Sequence, residues 1–499
     1  MTKIFRVMYK FASSLMVAIA VLLFASCNRG ENPNVSPTTG WDYNDPDNGG
    51  FEVVIGAEQQ TGPGLVLIEG GTFTMGRIQE DVMYDWNNPI RRVTVSSFYM
   101  DETEIRNVDY RMYLWWIKRV YVDYPEVYVR ALPDTLVWRS PLGYNEPYVQ
   151  YYLRHPAYNN YPVVGVNWLQ ANDYCLWRTD RVNEQILIDE GILNYDPNQV
   201  NENNFNTDAY LAGQYDGVVN QNLPSLDPNQ EERRVRFEDG LLLPKYRLPT
   251  EAEWEFAAYA LRGNTFEERI FERRVYPWDG HNVRYSGKRN RGEFMANFVR
   301  GRGDLMGVAG SLNDNGSITV DVKSYWPNDY GLYCMAGNVN EWVQDVYRPL
   351  SAQDVDAFNP FRGNVYTDYS RDANGNLLTK DELGKLQIDT VQAADVADRY
   401  NYQKGDYRNY LDGDNLSNIN ESGEWTGEEE MGTESMYLMD ADQPVSLIND
   451  RARVIKGGSW KDRAYWLNPS TRRFLDQEAA RDDLGFRCAM IRVGSPSGF

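Results

Sequence analysis

Histidine is nearly missing from this chain of 499 residues: only His155 and His281 occur, and neither has another histidine at metal-ligand spacing. That scarcity excludes histidine-built zinc centres and leaves Ser-His catalysis with few parts. There is also no phosphate loop, dinucleotide fingerprint or nucleophile elbow, so nucleotide chemistry and the hydrolase elbow mechanism have no motif to rest on. Positive charge is short as well. Against 72 Asp and Glu stand 50 Lys and Arg, a net charge of −22 with pI near 4.7, which disfavours nucleic acid or an anionic membrane surface as the main partner. The deficit is uneven: residues 351–450 hold 21 Asp/Glu against 7 Lys/Arg, and no basic residue occurs from Asn409 to Asp450. Such a run reads as a solvated loop, although Tyr400, Tyr407, Tyr410 and Tyr437 within it would let it dock on a basic surface. Aromatic residues, by contrast, are plentiful. With 14 Trp, 35 Tyr and 18 Phe in a chain that is 42% apolar, the protein is globular rather than disordered. The length admits two or three domains, or one large domain with insertions.

Long apolar runs are confined to Phe11–Ala25, which follows Lys3, Arg6 and Lys10 and ends at Ser26-Cys27. This reads as a signal peptide over residues 1–26, not a spanning helix. Small residues directly before Cys27 resemble a bacterial lipobox, which would make Cys27 the lipidated first residue; the alternative is an ordinary secretory signal beside an unrelated cysteine. Residues 27–60 are then a polar, turn-rich tether. No acidic run follows Cys27, so the expected address is the periplasmic face of the outer membrane. The other cysteines, Cys175, Cys334 and Cys488, make an odd number for an oxidising compartment.

A folded region is expected over 61–499, with insertions at about 178–246 and 343–452. Gly64–Gly76 alternates apolar and small residues about Gly70-Gly71, which predicts a hairpin. Val93–Tyr99 predicts a strand and Asp101–Trp116 an amphipathic helix, while Lys118–Tyr161 has no clean period and reads as loops and short strands. Pro162–Trp177 is a buried strand running into a helix capped by Asn167. In RLPTEAEWE, Arg247–Glu255, Thr250 is an N-cap and Glu253 completes a capping box. Glu251, Glu253 and Glu255 lie in the first turns, where the helix dipole favours anions, and read as structural rather than acid/base groups. Further on come Met295–Phe298, Asp314-Asn315-Gly316, the run NDYGLYCMAGNVNEW at Asn328–Trp342, and Arg453–Met490, which reads RVIKGGSWKDRAYWLNPSTRRFLDQEAARDDLGFRCAM. The last is expected as short buried segments joined by a polar connection.

Taken in order, these motifs resemble the formylglycine-generating enzyme (sulfatase-modifying factor) family. The resemblance implies an α+β, C-type-lectin-like fold in a single large domain carrying long insertions. Active members of that family bind copper through two cysteines shortly after the Gly-Gly-Ser-aromatic element; here Lys461–Trp466 contains none, so no copper is expected. The resemblance also implies a disulfide between Cys175 and Cys488, the alternative being three buried, unpaired thiols. It implies a structural calcium held by Asn297, the Phe298 carbonyl, Asp314 and the Gly316 carbonyl, the alternative being an ordinary pair of Asx turns. At a second family calcium site Cys334 replaces an Asp or Asn, so Gly337, Val339 and Glu341 are not expected to retain the ion.

With its lipobox and insertions, the chain further resembles the gliding-motility lipoproteins of Bacteroidota, through TGWDYNDPDNGGFEV, EDVMYDWNNP and LPDTLVWRSPLGYNE. That resemblance implies a non-catalytic structural part of the type IX secretion and gliding machinery. Its partners would be a ring-forming lipoprotein and that lipoprotein's periplasmic partner. Two other readings stay open: a protein-modifying oxidase working through Cys334 or Cys488, and a carbohydrate-binding module.

Overall fold

The computed structural model describes residues 34–54, 58–77, 88, 90–271, 274–278, 280–299, 316–347, 367–391 and 451–494. Cys27 and Asp314 lie outside them, as does the acidic run from Asn409. The chain divides into a large unit, Gln59–Val218 with Leu243–Phe499, and a small one that joins the residues before 59 to Val219–Leu242. Within the stretch expected as a tether, residues 34–54 therefore belong to a folded unit. There the Glu52 carboxylate accepts the Leu226 amide at 2.7 Å and pairs with Arg233, which also holds Asp239 at 2.7 Å.

The large unit begins with β1 (Leu65–Ile68), β2 (Gly71–Met75), β3 (Arg91–Val95) and β4 (Phe98–Asp101). The hairpin expected over 64–76 does not form. β1 instead pairs antiparallel with β4 (Leu65 opposite Asp101), and β2 pairs with β3 (Gly71 opposite Val95). Gly70 is where the chain passes from one ladder to the other. Its Cα lies so close to the 95–97 backbone that a Cβ would sit 2.4 Å from the Val95 carbonyl oxygen, so only glycine fits.

Helix α1 covers Asn107–Val120, starting later than the sequence pattern suggests. Asp101 is held in the sheet edge by Arg178, at 2.8 Å, and by the Cys488 amide, at 2.8 Å, while Asp109 turns back onto Arg106 to open the helix. Beyond it come α2 (Pro125–Ala131) and α3 (Glu146–Tyr151), helices where loops and short strands were expected. Proline in each first turn presets φ for helix entry and needs no amide partner, a local signal that the missing periodicity masked. Helix α4 (Trp168–Asp189) has the expected Asn167 cap, which Gln170 completes into a capping box, but continues well past 178, so its second half is core rather than insertion. α5 (Thr207–Leu211) follows.

β5 (Tyr246–Arg247) leads into α6 (Glu251–Tyr259), capped by Thr250 with Glu253 as read from the sequence. The remaining strands are β6 (Asn340–Val346), β7 (Thr367–Tyr369), β8 (Ile388–Thr390), β9 (Ala452–Lys456), β10 (Arg473–Asp476), β11 (Leu484–Gly485) and β12 (Ala489–Ile491). Two four-stranded sheets result, ordered β1-β4-β12-β5 and β10-β9-β6-β11, together with the small ladders β2-β3 and β7-β8. The C-terminal segment thus supplies inner strands to both sheets, which is why so much of the fold depends on it.

Two apolar clusters fill the unit. In one, Tyr110, Tyr113, Tyr174 and Trp177 of α1 and α4 pack on Phe486, with Tyr110 stacked on Tyr174 at 5.7 Å. In the other, α6 lays Trp254, Ala257 and Ala258 over Phe73, Val93 and Val454. Among the described residues no helix is long and apolar enough to cross a membrane.

Candidate functional site

After β9 the chain turns through Gly457 (φ +97°) and Gly458 (φ +70°). A Cβ on Gly458 would meet the Trp466 carbonyl oxygen at 2.8 Å, so this turn keeps the 459–466 loop folded against the sheet end. The turn delivers Ser459 and Asp462 next to Asn340 at the start of β6, Arg473 at the start of β10, and Asp483 just before β11. Ser459 Oγ lies 2.7 Å from Asp462 Oδ2 and 2.9 Å from Asp483 Oδ2, so its single proton serves one carboxylate at a time. Arg473 clamps Asp462 with both terminal nitrogens, at 2.7 and 2.6 Å, and also reaches Asn340 Oδ1. Asn340 Nδ2 donates to Asp462 Oδ2 at 3.1 Å, and Arg481 donates to Asp483 at 2.8 Å. Burial pushes the Asp462 carboxyl up, but Arg473, Ser459 and Asn340 outweigh it and hold the group below the usual carboxylate range. Lys461 pairs with Asp482, and Trp460 stacks on Trp138 with ring centroids 6.2 Å apart.

The interval in which the family resemblance calls for copper-binding thiols is thus occupied by ion pairs. Each carboxylate around it, Asp462, Asp482 and Asp483, has a cationic partner, so the arrangement holds strands and loop together. One oxygen is left over: Asp483 Oδ1 is buried without a hydrogen-bond partner among the described residues.

A second charged centre lies under the 334–341 run. Arg487, fully buried, grips Glu341 through two bonds of 2.6 Å, and Trp254 Nε1 donates to the same carboxylate at 2.8 Å. Beside it Glu104 accepts from Asn338 Nδ2 at 2.9 Å. Burial, then the Glu341 charge, raise the Glu104 carboxyl well above its ordinary value. Cys334 is in left-handed backbone (φ +53°), with its thiol 3.4 Å from the Val322 carbonyl. Burial and then the charge of Glu104 push that thiol well up, the opposite of what a nucleophilic cysteine needs. Glu341, expected to be a poor remnant of a calcium site, is thus committed to a guanidinium.

Cys175 and Cys488 are brought together, both buried, with their sulfurs 3.4 Å apart as thiols; a disulfide bond is about 2.05 Å. Burial, followed by the neighbouring Cys175, raises the Cys488 thiol.

Of the calcium quartet, Asn297 and Gly316 meet: a Cβ on Gly316 would lie 2.9 Å from Asn297 Nδ2. Asn297 donates to the Ile318 carbonyl at 2.8 Å, while its Oδ1 is buried without a hydrogen-bond partner among the described residues. An unpaired, buried amide oxygen beside two loop backbones fits a hard cation. Phe298 is buried next to it, and Asp314 lies outside the described residues.

Asn340, Ser459, Asp462 and Asp483 are not singled out by the sequence, where Arg473 stands out only as half of the Arg472-Arg473 pair. The buried ion pairs elsewhere do have a signal, single ionisable residues inside apolar strands: Lys456 ending RVIK, and Arg487 between Phe486 and Cys488. Such residues are tolerated in a core only when paired.

The sulfatase-modifying factor enzyme 1-like domain family matches residues 50–390, and the chain belongs to that family. Mouse formylglycine-generating enzyme is 24% identical over 320 residues, covering 59% of this chain and 61% of the mouse protein. The chain thus spans about three fifths of that relative's length. Mouse inactive C-alpha-formylglycine-generating enzyme 2 is also 24% identical, over 313 residues, covering 59% of this chain and 72% of the relative. Membership therefore spans active and inactive proteins and by itself assigns neither state. Among solved structures, PvdO from Pseudomonas aeruginosa aligns over 85% of this chain and 93% of its own, at 15% identity and a TM-score of 0.39.

Proposed function

We propose that this protein is a non-catalytic member of its family, a lipid-anchored structural component of the type IX secretion and gliding-motility machinery similar to GldJ and its relatives GldK and PorK. The observation that carries the non-catalytic reading is the 459–466 loop. Its sequence has no thiol, and the Asp462–Arg473 and Lys461–Asp482 pairs fill it. Support for the assembly role comes from the resemblance of residues 39–53, 80–89 and 132–146 to the gliding-motility lipoproteins, and from the lipobox-like Ala25-Ser26-Cys27. Acylation at Cys27 would concentrate the body at the periplasmic face of the outer membrane, where a ring-forming lipoprotein and its periplasmic partner are the expected contacts.

Two measurements test this reading. In the native host, deletion should abolish secretion through the pathway, and Cys27→Ala should release the protein from the membrane fraction. Purified protein given copper and a cysteine-containing peptide should yield no aldehyde product. Turnover of that peptide would replace the reading with the oxidase alternative, and normal secretion in the deletion strain would remove the assembly role.

Calcium at Asn297, Phe298, Asp314 and Gly316 forms part of the same proposal, as a structural tie between two loops with no step in any reaction. Chelation should lower the melting temperature by roughly 5 °C, recoverable with added calcium, because a ligand that binds only the folded state stabilises it. In Asn297→Ala the response should vanish. A melting curve indifferent to both chelator and calcium would rule the ion out.

A further inference from the structure

The two insertions, far apart in the sequence, pack on each other. Asn204 Nδ2 donates to the Leu383 carbonyl at 2.8 Å, Gln214 accepts the Lys380 amide at 2.7 Å, and Lys245 bridges Asp208 at 2.7 Å and the Tyr369 hydroxyl at 3.4 Å. Between this composite and helices α1, α2 and α4 lies a cavity of about 530 Å³. That volume is typical of small-molecule sites. Its lining includes Trp116, Tyr121 and Trp177, with aliphatic side chains from α1, α2, α4 and the second insertion.

The polar lining is of both signs and only partly satisfied. Asp208 and Lys245 neutralise each other, and Asp180 accepts from the Thr207 amide at 2.8 Å and from Asn206 at 3.0 Å. Asp173, Arg130 and Lys385 differ: all three are exposed, and among the described residues none has a side-chain hydrogen bond or ion pair. Asp173 keeps part of its surface in solvent, but the protein packed around it on the cavity side raises its carboxyl, and Arg130 and Lys385 are near enough to oppose this through space. A purely anionic ligand would meet Asp173, Asp180, Asp208 and Asp368, and a purely cationic one would meet Arg130, Lys245 and Lys385. A ligand carrying both charges around an apolar body satisfies all the free groups.

The geometry points to a binding site for a zwitterionic amino acid or short peptide with apolar side chains. Its ammonium is held by Asp173, its carboxylate by Arg130 and Lys385, and its side chains lie against the aromatic wall. The site exists only because the two insertions close over the family core, so it is independent of the 459–466 loop and of any role in secretion.

The test is calorimetric titration of the full chain with trileucine, N-acetyl-trileucine and trileucine amide. Free trileucine should bind saturably, and each cap should weaken it about tenfold, the effect of losing one charge-assisted bond. Asp173→Asn should weaken free trileucine to the level of its acetylated form and make acetylation neutral, while Lys385→Gln should weaken free trileucine and shrink the effect of amidation without abolishing it, because Arg130 remains. Both residues are exposed, so melting curves should be unchanged. No saturation at about 1 mM, equal affinity for all three peptides, or wild-type affinity in Asp173→Asn would each overturn the assignment.

Discussion

Arg487→Met is expected to cost roughly 3–5 kcal/mol, the usual consequence of stripping one partner from a buried ion pair. Arg487 is fully buried and makes four bonds: two to Glu341 at 2.6 Å, one to the Asp101 carbonyl at 3.1 Å and one to the Tyr333 carbonyl at 2.9 Å. Methionine fills the volume but supplies no donor. Glu341 would keep only its side-chain bond from Trp254, facing Glu104 with its own guanidinium partner gone. Set against a total stability of about 5–15 kcal/mol, that loss removes a large share of it, and a protein near the low end of that range would be left marginal or unfolded. Urea titration followed by tryptophan fluorescence reads it directly. The double variant Arg487→Met, Glu341→Leu should recover part of the midpoint, because the stranded charge has gone with its partner. An unchanged midpoint in the single variant would mean that this pair does not hold the β6–β12 region together.

The features legible in the sequence are those whose causes lie within a few residues. The cap at Asn167 and the capping box at Thr250 are written within four consecutive positions each, and both form, the first with Gln170 as an added partner. The Val93–Tyr99 strand is present, broken into β3 and β4 because its two halves join different ladders. What failed was pairing. Gly70-Gly71 has the composition of a hairpin turn, yet β1 is taken by β4 and β4 by β12, a strand nearly four hundred residues away. No local rule foresees that choice.

The candidate site divides the same way. Composition alone places no thiol in the 459–466 loop, and the family pattern brings Cys175 to Cys488 and Asn297 to Gly316. The replacement for the missing thiols could not be read. Asp462 is held by Arg473, nearby in sequence, but also by Asn340, more than a hundred residues earlier. The second insertion was read from its like charge as solvated, yet Thr367–Thr390 docks on the first through backbone carbonyls and amides, groups that every residue carries and composition does not reveal.

Lys456→Met should weaken the fold and also change its response to acid. Lys456 is wholly enclosed, 3.2 Å from Glu251 Oε1 and 3.1 Å from Glu255 Oε2, and Glu251 also receives Arg472 at 2.7 Å. Burial drives the Glu251 carboxyl up, but Arg472, Lys456 and Arg91 together bring it down to about 2, from an ordinary value of 4.5. A depressed carboxylate stabilises the fold above its unfolded value and loses that contribution as pH falls through its folded one. The parent protein should therefore shed on the order of 3 kcal/mol between pH 4.5 and about 2. Without the Lys456 ammonium the folded value of Glu251 rises, so the acid limb begins at the same unfolded value but ends at higher pH and is shallower in total. At neutral pH the variant carries two buried carboxylates with Arg472 and Arg91 left to offset them, a loss again of roughly 3–5 kcal/mol. Urea midpoints measured from pH 2 to 7 separate the two effects. The parent and variant curves should be far apart at neutral pH and converge toward acid, as protonation removes the charges that Lys456 had balanced. Adding Glu255→Gln to Lys456→Met should bring the neutral-pH midpoint back toward the parent. Parallel curves, offset equally at every pH, would mean that Lys456 acts through packing and not through its charge.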